Sequence, residues 1–179
     1  MISIFSSRKS LRLKNYDYSQ NGLYYVTICT RNREEILSEI KINSYFSGRK
    51  TTISFNDIII VYTKVGNIIL SEINNINQQK NILIHNYVIM PNHIHFIIQL
   101  NHNKNEIMGR GGTLPLQTII GRFKSFTTKQ YNILSNSFGI KLWQRNYYEH
   151  IIRDEKEYLK IIQYIQNNPF RWIENKHHL

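Results

Sequence analysis

The fold of this chain is decided by Asn86-Tyr87-Val88-Ile89-Met90-Pro91-Asn92-His93-Ile94-His95-Phe96-Ile97-Ile98-Gln99-Leu100. Two apolar runs flank the Pro-Asn pair and predict two strands, over residues 82–90 and 93–100. Side chains at positions i and i+2 of a strand point to the same face, so His93 and His95 are expected to lie side by side. Two imidazoles on one face supply half of a metal site. Two polar residues on the solvent side of a half-buried strand are the alternative interpretation.

Composition narrows the class of protein and its partners. The chain has 179 residues, which favours one domain with room for one sizeable core. Its formal net charge of +11 predicts a polyanionic partner, with nucleic acid ahead of an anionic membrane surface. The apolar runs are far shorter than a membrane span, and residues 1–14 lack the apolar core of a signal peptide. We therefore expect a cytoplasmic protein without membrane association.

The order of the predicted elements indicates the fold class. Hydrophobic patterns predict strands at residues 24–30, 82–90, 93–100 and 143–153, and helices at residues 64–79 and 115–134. A third helix begins after Asp154, which forms an Asp version of the capping box with Glu157, and is expected to end at Pro169. This order predicts an α+β fold, a ferredoxin-like βαββαβ antiparallel sheet with an added C-terminal helix.

Residues 1–179 are interpreted as a single domain with three peripheral segments. Residues 32–62 are expected to include a peripheral hairpin. Residues 101–113 form a glycine-rich loop, which we interpret as a flexible connection because no Gly-Lys-Ser/Thr closes it as in a phosphate-binding loop. Residues 1–22 form a basic N-terminal arm, either a solvated tail or a nucleic-acid contact through Arg8, Lys9, Arg12 and Lys14.

A second basic region lies in the later half of the chain. From Ile107 to Tyr148 the sequence has six basic residues and no acidic one. Aromatic side chains are interleaved with these charges, a combination typical of surfaces that bind single-stranded nucleic acid. A solvated helix face is the alternative. The predicted DNA contacts in this region are Arg122, Lys124, Lys129 and Arg145.

Tyr164 and Asn168 lie on the last predicted helix, beside its apolar stripe. They are four residues apart, which places them one turn from each other on the same side of the helix. A tyrosine at the edge of a core and a C-terminal asparagine are the structural alternative. Spacing alone does not decide between that alternative and a functional pair.

Several segments of the chain together match one known family pattern. The segment from Val88 to His95 resembles the HUH motif of single-tyrosine transposases, in which two histidines flank one bulky hydrophobic residue, and its Pro-Asn lead makes the match specific. The resemblance is to the REP-associated tyrosine transposases, which act on hairpin-forming repeats. Further matching segments are Arg12-Leu13-Lys14, Tyr16-Asp17-Tyr18, residues 24–30, Ile120-Gly121-Arg122-Phe123-Lys124-Ser125, Trp143-Gln144-Arg145 and Tyr164-Ile165-Gln166-Asn167-Asn168-Pro169.

This resemblance implies a mechanism and a set of site residues. Tyr164 on the added helix would attack a DNA phosphate and leave a 5′-phosphotyrosine and a free 3′-hydroxyl, so that the strand could be rejoined without ATP. His93, His95 and Asn168 would hold a divalent cation, Mg²⁺ or Mn²⁺, that polarises the phosphate. Members with a Tyr-x-x-x-Gln ending use glutamine where this chain has Asn168, which is shorter by one methylene. The implied substrate is single-stranded or hairpin DNA, and we expect a monomer, with a homodimer as the alternative.

The sequence is also compatible with two other functions. A non-catalytic nucleic-acid-binding protein on the same scaffold would account for the charge and the aromatics, but not for His93, His95 and Tyr164 occurring together. A metallohydrolase would need carboxylate ligands, and no acidic residue follows the histidine pair closely. Covalent capture of DNA separates a transesterase from both.

Overall fold

A computed structural model describes residues 21–42, 57–101 and 114–177. Residues 43–56, nearly all of the glycine-rich loop and the basic arm with Arg8, Lys9, Arg12 and Lys14 lie outside these ranges. The described strands are β1 (Gly22–Cys29), β2 (Ser38–Ile42), β3 (Ile58–Tyr62), β4 (Ile82–Ile89), β5 (His93–Leu100) and β6 (Tyr148–Ile152). The described helices are α1 (Lys64–Asn77), α2 (Leu116–Leu134), α3 (Glu155–His177) and a short 3-10 turn, Arg31–Arg33.

Four of the strands form one antiparallel sheet in the order β4-β5-β1-β6. β2 and β3 pair separately, as a two-stranded antiparallel sheet that runs from Ser38 opposite Tyr62 to Ile42 opposite Ile58. The predicted α+β class with an antiparallel sheet is therefore confirmed. β5 has the predicted bounds. Its nearly continuous apolar run marks both of its ends and is typical of a strand that is buried on both faces.

Helices cover both faces of the four-stranded sheet. On one face, Phe96 of β5 packs with Ile69 of α1 and Phe123 of α2. On the other face, Ile97 of β5 packs with Ile165 of α3. Successive residues of a strand point to opposite faces, so the two helical layers together bury β5 along nearly its whole length. The face under α3 is the one that carries the histidine pair.

α3 corrects one prediction, because the helix does not end at Pro169. It continues through this proline to His177. A proline inside a helix removes one backbone hydrogen bond and costs about 3 kcal/mol. Burial of the next turn offsets this cost, since Ile173 is buried and Trp172 packs against the cluster around Ile97. Tertiary packing here overrides the local preference of the sequence.

The start of α1 is packed tightly against the chain before β2. The Thr63 hydroxyl caps α1 by accepting a hydrogen bond from the Gly66 N–H at 3.1 Å, and it donates to the Leu37 carbonyl oxygen at 3.0 Å. A Cβ atom at position 66 would overlap that carbonyl oxygen. Only glycine lets the helix approach this closely. Gly121, in the interior of α2, would place a Cβ atom in open space.

These two glycines give a matched pair of substitutions. Gly66→Ala should destabilise the protein by about 3 kcal/mol or more, because the added methyl meets a backbone oxygen that is held in place. Gly121→Ala should stabilise it by up to about 1 kcal/mol, since alanine is the better helix former at an open position. Urea denaturation followed by circular dichroism measures both changes. A Gly66→Ala variant as stable as the wild type would contradict the close approach.

Candidate functional site

The pairing of β1 with β5 assembles one polar patch on the face covered by α3. In the register of the two strands, Cys29 lies opposite His93 and Thr27 lies opposite His95. The two imidazole centroids are 4.5 Å apart. His93 is only 9% exposed and His95 only 4% exposed, so they are not residues on the solvent side of a strand.

Burial keeps both imidazoles neutral. It lowers the pKa of His93 to about 4, with a further contribution from Arg33. It lowers the pKa of His95 to about 3, and the neighbouring His93 and Arg33 act in the same direction. A neutral imidazole has a lone pair for a metal ion, so protons do not compete for either ring at neutral pH.

The Nδ1 atoms of both rings are held by neighbouring side chains. His93 Nδ1 lies 2.7 Å from Asn92 Oδ1. His95 Nδ1 lies 2.8 Å from the hydroxyl oxygens of both Tyr25 and Thr27. Hydrogen bonds at Nδ1 fix the orientation of each ring and leave Nε2 as the atom that it can present to a ligand.

Asn92, Tyr25 and Thr27 were not among the predicted site residues. Asn92 belongs to the Pro-Asn pair that precedes the two histidines, and this position is the feature of the sequence from which its role could have been predicted. Tyr25 and Thr27 are separated by one residue, a spacing that places both on one side of β1. Whether they contact His95 depends on the pairing of β1 with β5. Local sequence does not reveal that pairing.

α3 brings Tyr164 and Asn168 to the same patch. The ring centroid of Tyr164 lies 5.4 Å from that of His95 and 6.2 Å from that of Tyr25, and Tyr164 is 40% exposed. Asn168 Nδ2 donates to the Tyr164 carbonyl oxygen at 2.9 Å. A hydrogen bond between Asn168 and the His95 ring opposes the effect of burial on the pKa of His95. The structure thus brings Tyr164 and Asn168 together with both histidines.

These side chains line an open cleft of about 900 Å³ between the sheet and α3. No cluster of three or more His, Cys, Asp or Glu side chains suited to a metal ion occurs in the described residues. A cation at the histidine pair would therefore need the Asn168 amide, substrate or water to complete its coordination. Other residues that line the cleft include Arg33, Gln144, Tyr148, Lys160 and Trp172.

A hydrogen-bonded pair lies at the rim of the cleft. His150 Nε2 is 2.6 Å from Glu157 Oε1, and the Arg153 N–H donates to Glu157 Oε2 at 2.9 Å. These hydrogen bonds, the backbone one foremost, lower the pKa of Glu157. Asp154 Oδ1 accepts from the Glu157 N–H at 2.8 Å, so Asp154 caps the helix that carries Tyr164 as predicted, whereas the Glu157 side chain accepts from the N–H of Arg153.

Two curated proteins are similar to this chain in sequence. It is 36% identical over 182 residues to an uncharacterized protein of Haemophilus influenzae, and the alignment covers 94% of this chain and 92% of the relative. It is 26% identical over 165 residues to a protein of the same organism named as a REP-associated tyrosine transposase, covering 89% and 77% of the two chains. The chain thus resembles the REP-associated tyrosine transposases in sequence.

A solved structure of a transposase shares the fold of this chain. The structure is of a REP-associated tyrosine transposase bound to a REP hairpin, and it matches with a TM-score of 0.52 at 19% identity, over 89% of this chain and 73% of that one. No family model matches the chain. Within the three described ranges, none of the helices is long and apolar enough to cross a membrane.

The predicted DNA contacts within the described residues lie on α2 and the segment after it. Arg122, Lys129 and Arg145 are exposed. The Lys124 ammonium instead donates to the carbonyl oxygens of Gln144 at 2.7 Å and Arg145 at 2.9 Å, and burial lowers its pKa. Lys124 therefore ties residues 144 and 145 to α2, which leaves less of its hydrogen-bonding capacity for a phosphate.

Two of the aromatic residues between these charges belong to the core. Phe123 is 1% exposed and Trp143 is 4% exposed, and their ring centroids lie 6.1 Å apart. The Trp143 indole N–H donates to Thr127 Oγ1 at 2.8 Å. Neither ring is available to stack on a base, because both side chains are buried in the core.

The contacts of Glu157 predict how stability depends on pH. Because its pKa is lowered in the folded protein, Glu157 stabilises the fold above its unfolded pKa of about 4.3, and this contribution is lost as the pH falls through the folded value. Glu157→Gln should therefore lower the free energy of unfolding at pH 7, and its difference from the wild type should shrink at pH 3. Denaturant titrations at the two pH values measure this.

Glu155→Gln is the matched control for that prediction. It removes a negative charge from the same first turn of α3, so it changes the interaction with the helix dipole in the same way. We expect a smaller loss of stability from Glu155→Gln at pH 7. Equal losses in the two variants would show that the hydrogen bonds of Glu157 contribute nothing beyond its charge.

Proposed function

We propose that this protein is a metal-dependent transesterase that cleaves and rejoins single-stranded DNA at hairpin-forming repeats, with Tyr164 as the nucleophile. The observation that carries the proposal is the position of Tyr164, whose ring lies 5.4 Å from that of His95 in the open cleft. A phenol beside two buried, neutral imidazoles combines a nucleophile with metal ligands. The relative of shared fold that is bound to a REP hairpin supports DNA as the substrate.

The strand order supports a ferredoxin-like interpretation of the sheet. In a βαββαβ unit, the first and third strands are neighbours at the centre of the sheet. β1 and β5 occupy these positions once the separate β2–β3 pair is set aside as a peripheral hairpin. α3 is then the helix added to the unit, and in our proposal it carries the nucleophile.

The residues at the histidine pair fit a divalent cation. His93, His95 and Asn168 would hold it, through two neutral imidazole nitrogens and an amide oxygen. Asn168 Nδ2 donates to a backbone carbonyl, so the amide oxygen is the atom left for a cation. When bound, Mg²⁺ or Mn²⁺ would supply Lewis-acid polarisation of the scissile phosphate.

In the proposed reaction, Tyr164 Oη forms a bond to phosphorus while the bond between phosphorus and the 3′ oxygen breaks. The phenol loses its proton and the 3′ oxygen gains one, so the step releases no net proton. Its products are a 5′-phosphotyrosine and a free 3′-hydroxyl. Attack by another 3′-hydroxyl on the phosphotyrosine reverses the step and rejoins DNA, because the covalent link conserves the energy of the phosphodiester.

Tyr25 lies beside both the proposed nucleophile and His95, with ring centroids 6.2 Å and 5.6 Å away. Its hydroxyl is 2.8 Å from His95 Nδ1, and it also hydrogen-bonds Tyr164. Burial raises the pKa of Tyr25 well above its usual value, so this hydroxyl keeps its proton. When His95 carries a proton on Nδ1, that N–H donates to Tyr25 or Thr27, and the Tyr25 O–H can donate to the Tyr164 oxygen. Such a bond stabilises negative charge on the attacking oxygen.

The cleft gives little support to a carboxylate-based hydrolase. Among its described lining residues, Glu157 is the one carboxylate. Glu157 already accepts from the Arg153 N–H and is bonded to His150. A two-histidine site completed by an amide and a tyrosine nucleophile accounts for the lining better than a hydrolytic site does.

The nucleophile is tested by Tyr164→Phe, which removes one oxygen and keeps the ring. Folding and DNA affinity should change little, whereas strand cleavage and the covalent adduct should both be lost, because the phosphotyrosine needs that oxygen. The substrate is a single-stranded oligonucleotide with a hairpin taken from the flanks of the protein's own gene. A denaturing gel detects the adduct, and mass spectrometry of the cross-linked peptide identifies the residue.

Tyr148→Phe is the matched control for Tyr164→Phe. Tyr148 also lines the cleft and is also exposed, but it lies on β6 and should be dispensable for the adduct. A nucleotide found on Tyr147 or Tyr148, or an adduct formed by Tyr164→Phe, would show that another residue attacks. DNA binding without any adduct in the wild type would favour the non-catalytic alternative.

The metal site is tested by His95→Ala. Cleavage in Mn²⁺ or Mg²⁺ should fall to background, because one of two imidazole ligands is lost, while most of the DNA affinity should remain, since phosphate contacts dominate it. His85→Ala is the control, because His85 lies on β4 outside the lining of the cleft. Cleavage by the wild type at an undiminished rate in chelator would rule out the role of the cation.

A further inference from the structure

One aromatic side chain stands almost entirely in solvent. Phe138, on the turn that follows α2, is 96% exposed, and Ile133 in the last turn of α2 is 63% exposed. Both line a groove of about 540 Å³, together with Lys129, Asn132 and Gly139. Large apolar side chains that are grouped on a surface mark binding sites for other molecules.

The turn that presents Phe138 is held in place by its own hydrogen bonds. Asn132 Oδ1 accepts from the Ile140 N–H at 3.0 Å, and Asn132 Nδ2 donates to the Ile140 carbonyl oxygen at 2.9 Å. The Ser137 N–H donates to the Asn132 carbonyl oxygen at 2.9 Å. Gly139 has a φ of +73°, which glycine adopts without strain and which reverses the chain here. Phe138 is therefore exposed by a defined turn.

A basic path connects this groove with the cleft. Gln144 lines both the cleft and a depression of about 370 Å³, whose walls also include Lys141 and Arg145. Lys129, in the groove with Phe138, directly follows Thr128, which lines that depression. The three concavities are thus lined by residues that are shared or adjacent in the sequence of α2 and the segment after it.

We propose that Phe138 is a stacking platform for a base of the single-stranded DNA that leaves the cleft along this path. The inference rests on the proposed function, which supplies the DNA strand. Every base has a π face, so an exposed phenyl ring binds single-stranded DNA with little dependence on sequence. Lys129, in the same groove, is placed to contact a neighbouring phosphate.

Charge favours DNA over a second copy of the chain as the occupant of this surface. From residue 107 to residue 148 there are six basic residues and no acidic one. A two-fold interface brings the same patch of two copies together, and here it would place like charges opposite each other. A single strand of DNA instead brings phosphates to the charges and a base to Phe138.

Two oligonucleotides that share a hairpin but differ in length test the inference. The shorter one consists of the hairpin and the sequence up to the cleavage site. The longer one carries about ten more nucleotides beyond each end of the shorter one. Phe138→Ala should bind the longer strand about 5- to 100-fold more weakly than the wild type does, and the shorter strand equally well. Phe138→Trp should retain the affinity, and the longer strand should quench its added fluorescence. Removing an exposed ring should leave folding intact.

Leu159→Ala is the matched control. Leu159 is 56% exposed on α3 and lines none of the three concavities, so its loss should leave both affinities unchanged. Equal affinity of Phe138→Ala and the wild type for the longer strand overturns the inference, even where Tyr164 forms its adduct. A dimer that forms without DNA and that Phe138→Ala dissociates also overturns it. If the wild type forms no adduct but Phe138→Ala still weakens binding of the longer strand, the inference stands and the proposed chemistry falls.

Discussion

The pairing of β1 with β5 is the constraint on which the rest of the structure depends. It joins residues 22–29 to residues 93–100 in one antiparallel register. A shift by one residue would turn every side chain of a strand to its other face. The histidines would then enter the core under α1 and α2, and Ile94 and Phe96 would face the cleft. The same hydrogen bonds therefore decide both the packing of the core and the composition of the site.

Prediction from sequence succeeded where structure follows from local periodicity. β5 has the bounds expected of it, and α2 begins one residue later than expected, because hydrophobic spacing and turn residues mark both elements. The side-by-side position of His93 and His95 likewise follows from strand geometry alone. Pro169 marks the limit of this reasoning, since the burial that carries α3 past it comes from contacts with the sheet, which are distant in sequence.

Pairing and orientation are what a single sequence does not contain. The support that Tyr25 and Thr27 give to His95 depends on which strand lies beside β1. The charge pattern indicated a basic surface but not which aromatic rings belong to it. Phe123 and Trp143 turned out to be buried, whereas Phe138, which has no periodic signal, is exposed. Solvation of an individual ring is a property of the tertiary structure.

Pro169 makes α3 easier to bend at one point than along the rest of its length. Because proline has no N–H, the Ile165 carbonyl oxygen lacks its usual helical donor, and a helix bends most easily at such a point. Tyr164 and the capped first turn lie before this point. Trp172, whose ring centroid is 6.2 Å from that of His93, lies after it. Any bend of α3 would therefore change the distance between Tyr164 and Trp172 more than the geometry within either segment.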